Sequence, residues 1–142
     1  MKKLTQYEKG FLEGIIDGEG CISLYKPKSG YACIKPEFTI GNTNIRLLKK
    51  VKNIIKGGTI QYAVNRNKKY KKFYNLKISP NIMRYILPQL KLIEKEHKRK
   101  LMLKILPILQ DRHQWGRWNK NYRVTELLNY YKEFYRDRRN HE

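Results

Sequence analysis

The chain has 142 residues and carries 32 Lys plus Arg against 12 Asp plus Glu, a formal net charge of +20. That length suits one domain with a sizeable core, residues 1–142, and the charge exceeds what solubility needs, so a polyanion is the expected partner, nucleic acid before a membrane surface. No apolar run of about 18 residues is present to span a membrane and no signal peptide is legible, which excludes a membrane-spanning class. Cys21 and Cys33 lack CxxC spacing and His partners, so neither a zinc site nor a disulfide framework is expected. The expectation is an intracellular protein with free thiols and no small-molecule cofactor. Ala occurs only at positions 32 and 63 while Lys, Asn, Ile, Tyr and Phe abound, a composition pointing to an AT-rich source, either an organelle (chloroplast or mitochondrion) or a prokaryotic cytoplasm.

Thr5-Gln6-Tyr7-Glu8 has the form of a capping box, so a helix starts at Thr5 and runs to about Asp17. Gly10, Gly14 and Gly18 recur every fourth residue on one side of it, while Leu12, Ile15 and Ile16 point largely to the other. Each interior glycine costs about 1 kcal/mol against alanine. The compensation is close backbone approach, helix against helix. The helix ends by delivering Asp17 and Glu19 among glycines able to turn left-handed and expose carbonyls, an oxygen-rich end suited to a hard divalent cation. An ordinary packed helix followed by a turn has the same pattern, and spacing alone does not separate the two.

Residues 21–26 and 32–40 read as a hairpin joined by Pro27-Lys-Ser-Gly30. Ile22, Leu24, Ala32, Ile34, Pro36, Phe38 and Ile40 form its apolar face; Ser23, Tyr25, Cys33, Lys35, Glu37 and Thr39 form its polar one. Asn42-Thr-Asn44 caps a helix to about Lys56 whose buried stripe is Ile45, Leu48, Val51, Ile54 and Ile55, stopped by Gly57-Gly58. A second hairpin follows at 59–66 and 71–79. Ile60, Tyr62, Val64, Tyr74, Leu76 and Ile78 are inward, and Gln61, Ala63, Asn65, Lys71, Phe73, Asn75 and Lys77 outward, with a basic loop Asn67-Lys-Lys-Tyr70.

Four such strands make a twisted antiparallel sheet whose polar, basic face fits the DNA major groove. A half-solvated sheet has a similar outer face. Aromatics on it are few, Tyr25 and Phe73, so base stacking on single strands is disfavoured. Ser79-Pro80 starts a short helix that ends before Pro88. A helix over 94–109 buries Leu101, Ile105, Ile108 and Leu109, with Lys95, His97, Lys98, Arg99 and Lys100 around its start. Residues 110–123 read as an irregular basic connection holding Trp115 and Trp118. A last helix, capped by Thr125, runs to about Arg138 with Leu127, Leu128, Tyr131 and Phe134 inward. Helix, two strands, helix, two strands, helices is an α+β order.

The run Leu12-Glu-Gly-Ile-Ile-Asp-Gly-Glu-Gly-Cys21 closely resembles the signature of the LAGLIDADG homing endonucleases, a helix ending in an acidic residue between glycines. The element order over about 5–109 is similar to that family's αββαββα core, leaving about 110–142 as a helical C-terminal extension. The resemblance implies a metal-dependent, intron-encoded type of DNA endonuclease that cuts a long pseudo-palindromic duplex. It implies Mg²⁺ held by Glu19 and the Gly18 carbonyl. Asn42 and Arg46 of the segment Asn42-Thr-Asn-Ile-Arg-Leu-Leu48 would support the active site, and Lys95 of Leu92-Ile-Glu-Lys95 would stand near the scissile phosphate, with Lys98 as the alternative. Only one copy of the motif is present, which in this family implies a homodimer through the helix with Gly10, Gly14 and Gly18 as its seam.

Two departures from the family pattern stand out. Glu13 occupies a position that is usually small, which bears on close helix packing, and Glu19 replaces the aspartate of the name-giving motif while remaining an oxygen donor. No Ser/His/Asp or Cys/His nucleophile set accompanies the motif, so hydrolysis without a covalent intermediate is expected. Base readout would fall to Ser23, Tyr25, Lys35, Glu37, Thr39, Gln61, Arg66, Lys71, Asn75 and Lys77. A non-catalytic DNA-binding protein or an intron RNA maturase on the same fold is the alternative.

Overall fold

The computed structural model describes residues 3–28, 34–63, 71–111, 113–114, 117–118 and 123–136. The expected loop 67–70, the strand ends Ala32, Cys33, Val64, Asn65 and Arg66, and Trp115 lie outside the described residues.

Helix α1 spans Gln6–Glu19, and both halves of the capping box are in place, Thr5 Oγ1 accepting from the Glu8 amide and Glu8 accepting from the Thr5 amide. It runs two residues past the expected end, so Glu19 sits in its last turn and β1, Gly20–Tyr25, begins at once. No left-handed residue makes this switch. Gly20 is extended, at φ −79° and ψ 152°, and its role is close approach: a Cβ there would lie 2.7 Å from the Ile16 carbonyl oxygen.

Strand β2, Lys35–Asn42, pairs antiparallel with β1. Helix α2, Ile45–Ile55, is capped by Asn44 and closed by Lys56 in the left-handed region at φ 58°, so the stop comes one residue before the glycine pair that announced it. Strands β3, Thr59–Ala63, and β4, Phe73–Ile78, complete a sheet in the order β1-β2-β4-β3. Helix α3, Pro80–Ile86, takes Ser79 as its cap, and a short 3-10 turn over Leu87–Gln89 follows. Helix α4 is Glu96–Asp111 and α5 is Val124–Arg136. Between them lies a small ladder of β5, His113–Gln114, and β6, Arg117–Trp118, where an irregular connection was expected. Thr125, expected as a cap, stands inside the first turn of α5.

The core lies between the inner sheet face and the helices. Ile22, Leu24, Phe38, Ile40, Leu76 and Ile78 come from the strands, and Leu12, Ile16, Leu48, Val51, Met83, Met102 and Ile105 from the helices, all 5% exposed or less. Each such side chain contributes roughly 1.5–3 kcal/mol by leaving water. Period-two alternation predicts these faces, with one exception. Tyr62 belongs to the inner face of β3 yet is 52% exposed, because β3 is an edge strand; the Tyr74 ring leans against it edge-on at 5.7 Å.

The other edge is covered. Tyr135 of α5 donates its hydroxyl to the Leu24 carbonyl at 2.7 Å and accepts from the Leu24 amide at 3.1 Å. These are groups β1 leaves without a strand partner, and an open edge of this kind invites foreign pairing. Helix α5 therefore occupies this edge at Leu24 as well as packing on α4. Tyr135→Phe should lower unfolding free energy by about 1–3 kcal/mol, because both Leu24 groups lose their partner. Urea unfolding followed by circular dichroism measures it.

Candidate functional site

The last turn of α1 is tied to the loop that leads into α4. The Asp17 carboxylate accepts from two backbone amides, Ile93 at 2.8 Å and Lys95 at 3.2 Å. Glu13, one turn earlier, accepts from the Lys91 amide at 2.9 Å, and Glu96 accepts from the Leu92 amide at 2.8 Å. The Lys95 ammonium then returns to the helix and donates to the Asp17 carbonyl at 2.6 Å. A cation at a helix C-terminus also meets the negative end of the helix dipole. Lys98, the alternative lysine, turns the other way and lies 5.7 Å from the Phe134 ring centroid.

Glu19 has no such engagement in these ties and is exposed, as is Gly18. Of the terminal carbonyls that an α-helix leaves without internal donors, that of Ile16 accepts from the Gly20 amide and that of Asp17 from Lys95. The Gly18 carbonyl is next in line, in the residue before Glu19. Among the described residues no cluster of three or more His, Cys, Asp or Glu forms a self-sufficient metal cage.

Gly10, Gly14 and Gly18 are exposed, and a Cβ placed at any of them would meet nothing within 4 Å. Among the described residues nothing fills the bare stripe. Tyr7 and Phe11 flank it, stacked at 6.4 Å, with the Lys50 ammonium 2.7 Å from the Tyr7 hydroxyl and 4.5 Å from the Phe11 ring centroid.

Asn42 and Arg46 sit at the turn from β2 to α2. Gly20 pairs with Ile40, so Asn42, two residues further along β2, stands at the sheet end where α1 delivers Glu19. Its Oδ1 accepts from the Asn44 amide at 2.8 Å, which leaves its NH₂ as the free donor. Asn44, not Asn42, caps α2 by accepting from the Arg46 amide at 3.0 Å. The Arg46 side chain is exposed and lines a cleft of about 480 Å³ with Glu8, Lys49, Lys50, Asn53, Ile54 and Lys56. Of the three expected partners of Glu19, Lys95 is the one hydrogen-bonded to α1, while Asn42 shares its end of the sheet and Arg46 faces the basic cleft.

On the outer sheet face the register places the expected reading residues in rows. Cys21, Thr39, Lys77 and Thr59 line up across all the strands; Gly41, Asn75 and Gln61 form the next row. Ser23 stands opposite Glu37, and Tyr25 opposite Lys35. Lys71 is exposed just ahead of β4, and Arg66 lies outside the described residues. Cys21 and Thr59 were not among the expected readers, although strand alternation alone places them beside Ser23 and Gln61. Gly41 makes room for an aromatic: a Cβ there would fall 2.5 Å from Phe73 Cζ, so the ring lies across the bare backbone. The described strand positions carry Lys35 and Lys77 against Glu37, so the face is polar but much less basic than the whole chain.

Arg99, one of the basic residues around the start of α4, is 9% exposed. It forks onto Glu96 with two contacts of 2.7 Å and donates to the Leu87 carbonyl at 2.9 Å. The guanidinium, aided by the Leu92 amide, holds the Glu96 carboxyl at about 2 against its usual 4.5, and the Glu96 carboxylate raises Arg99 in turn.

The sequence model of the LAGLIDADG endonuclease family matches residues 12–103. No curated protein matches the chain. Among solved structures, the group I intron-encoded homing endonuclease I-CeuI complexed with DNA is similar at TM-score 0.67 and 19% identity, over 94% of this chain and 69% of that one. The homing endonuclease I-TnaI follows at 0.63 and 18%, over 92% and 93% of the respective chains. So does I-CvuI, in complex with its target in the presence of 2 mM Ca, at 0.61 and 18%, over 92% and 83%. The α+β architecture with its four-stranded antiparallel sheet is the fold these proteins share.

A lowered carboxyl pKa stabilises the fold where the group is ionised in both states, above 4.5, and that contribution is lost as pH falls toward about 2. Glu96→Gln should therefore cost on the order of 2 kcal/mol at neutral pH, and the gap from the unmodified protein should close across that acid window. Urea midpoints measured at several pH values check it.

Proposed function

The chain belongs to the LAGLIDADG endonuclease family, and we propose that it is a site-specific double-strand DNA endonuclease of the intron-encoded homing type. It hydrolyses phosphodiester bonds with a divalent metal at a long pseudo-palindromic target. One observation carries the reading: a helix with a bare glycine face ends on an exposed carboxylate, Glu19, with the Lys95 ammonium fixed to its last turn. The DNA held by I-CeuI and I-CvuI supports the same partner here.

Two copies of α1 cross about a twofold axis through Gly10, Gly14 and Gly18, which brings two Glu19 carboxylates to one place. The donor set fits Mg²⁺. That ion keeps several waters and takes one or two carboxylates plus substrate phosphates rather than an all-protein cage, and one carboxylate with the Gly18 carbonyl per protomer is that kind of site. When bound, the metal lowers the pKa of water and neutralises phosphate charge.

The remaining work falls to the side chains. Lys95 spends one of its three donors on the Asp17 carbonyl, so the others face the phosphate and stabilise developing negative charge. Asn42, its carbonyl occupied, presents NH₂ to the water network. Arg46 adds a permanently charged donor from the base of α2. The sheet lies in the major groove, where Ser23, Tyr25, Lys35, Glu37, Thr39, Gln61, Arg66, Lys71, Asn75 and Lys77 read or position the duplex. A dimer of identical sheets reads a near-palindrome.

Selection of cleaved duplexes from a random library in Mg²⁺ supplies the target. On it, Glu19→Gln should abolish double-strand cleavage while retaining specific binding in Ca²⁺; undiminished cutting would refute the metal role. Gly14→Ala separates protomer from dimer. With open space at that Cβ, the helix should gain about 1 kcal/mol, whereas light scattering should show weaker dimerisation and cleavage should fall. A variant that is as dimeric and active as the parent would place the seam elsewhere.

A further inference from the structure

The loop between the 3-10 turn and α4 is held in an unusual way. Its backbone amides at Lys91, Leu92, Ile93 and Lys95 each donate to a carboxylate: Glu13, Glu96, Asp17 and Asp17 again. Side-chain packing does little for its middle. Leu90 and Leu92 are buried, but Ile93 is 87% exposed and Glu94 is exposed as well. Each Asp17 oxygen accepts one of these amides, so the carboxylate is turned toward the loop although it stands two positions before Glu19. Asp17 also holds Lys95 twice, through the backbone amide at its carboxylate and through the ammonium at its carbonyl.

We propose that Asp17 is a positioning residue of the nuclease centre, seconded by Glu13: its carboxylate fixes the loop so that the Lys95 ammonium stands beside the Gly18–Glu19 corner. The proposal rests on the reading of Lys95 given above. The physical case is geometric. A lysine side chain has four rotatable bonds and a large rotamer entropy. Anchoring its amide to the helix that carries Glu19 makes the two charges parts of one rigid element. Asparagine at 17 keeps the shape but replaces one acceptor oxygen by an NH₂ group, which faces an amide hydrogen and repels it.

The experiment is a double-mutant cycle on the selected target duplex, with single-turnover cleavage in Mg²⁺ and equilibrium binding in Ca²⁺. Asp17→Asn should slow cleavage by about 10- to 100-fold, the scale of a small misplacement of a catalytic group, with duplex affinity unchanged. In a Lys95→Ala background the same substitution should add nothing, since coupled sites are non-additive. Asp17→Glu, which restores both acceptor oxygens, should recover part of the rate. Independent, additive losses would overturn the proposal, as would a fall in affinity that accounts for the lost rate, or full activity in Asp17→Asn. Parent-like cleavage by Lys95→Ala would overturn the assigned role of Lys95 itself, a different failure from additivity. Should Asp17→Asn fail to fold, Asp17→Glu alone and in the Lys95→Ala background runs the same cycle.

Discussion

The structure depends on how α1 ends. A helix that buries Leu12 and Ile16 must pass directly into an edge strand, and the passage works because Gly20 has no side chain to strike the Ile16 carbonyl. With no connecting loop between them, Glu19 stands at a fixed place where helix, sheet end and the β2–α2 turn converge. Carboxylates on the same helix bind the loop before α4 to this point, so a residue far along the chain, Lys95, is registered against it. A site built on the junction of a helix and a strand is held more precisely than one on a loop alone.

The positive charge that leads one to expect a polyanion partner is distributed unevenly. The described sheet face is close to neutral, with hydroxyl, amide and aromatic groups in register, while α2 exposes Arg46, Lys49, Lys50, Lys52 and Lys56. These two kinds of surface suit different tasks. Directional donors and acceptors discriminate base edges, whereas dispersed lysines supply affinity that carries no sequence information and weakens with salt.

Much of this was legible in the sequence because it rests on short-range rules. The capping box at Thr5 and Glu8, the period-two faces around Phe38 and Ile40, and the helical stripe of Leu48, Val51 and Ile55 all follow from local geometry. The glycine stripe and Glu19 stood out because their spacing has a cost in helix stability with no local compensation. What escaped has partners distant in the chain. Glu13 read as a departure that could crowd a helix pair, and its amide partner lies 78 residues away. Tyr135 carries no mark of its contact with Leu24, 111 residues upstream. Arg99 looked like one cation among five, since nothing in a basic run announces which member turns inward. Tyr62 lies on the inner face by alternation yet is exposed on the edge strand β3, a consequence of strand order rather than of its own neighbours.

In the enzyme proposed above, two α1 helices meet through their bare faces and each contributes one Glu19 to the cutting of one strand. Mixed dimers test it most directly: co-purified by two different tags, each holds one unmodified protomer and one with Glu19→Gln, and is given the target duplex in Mg²⁺. Such dimers should nick one strand and leave the other intact. Double-strand cuts at the parent rate, or an absence of mixed dimers after co-expression, would contradict it.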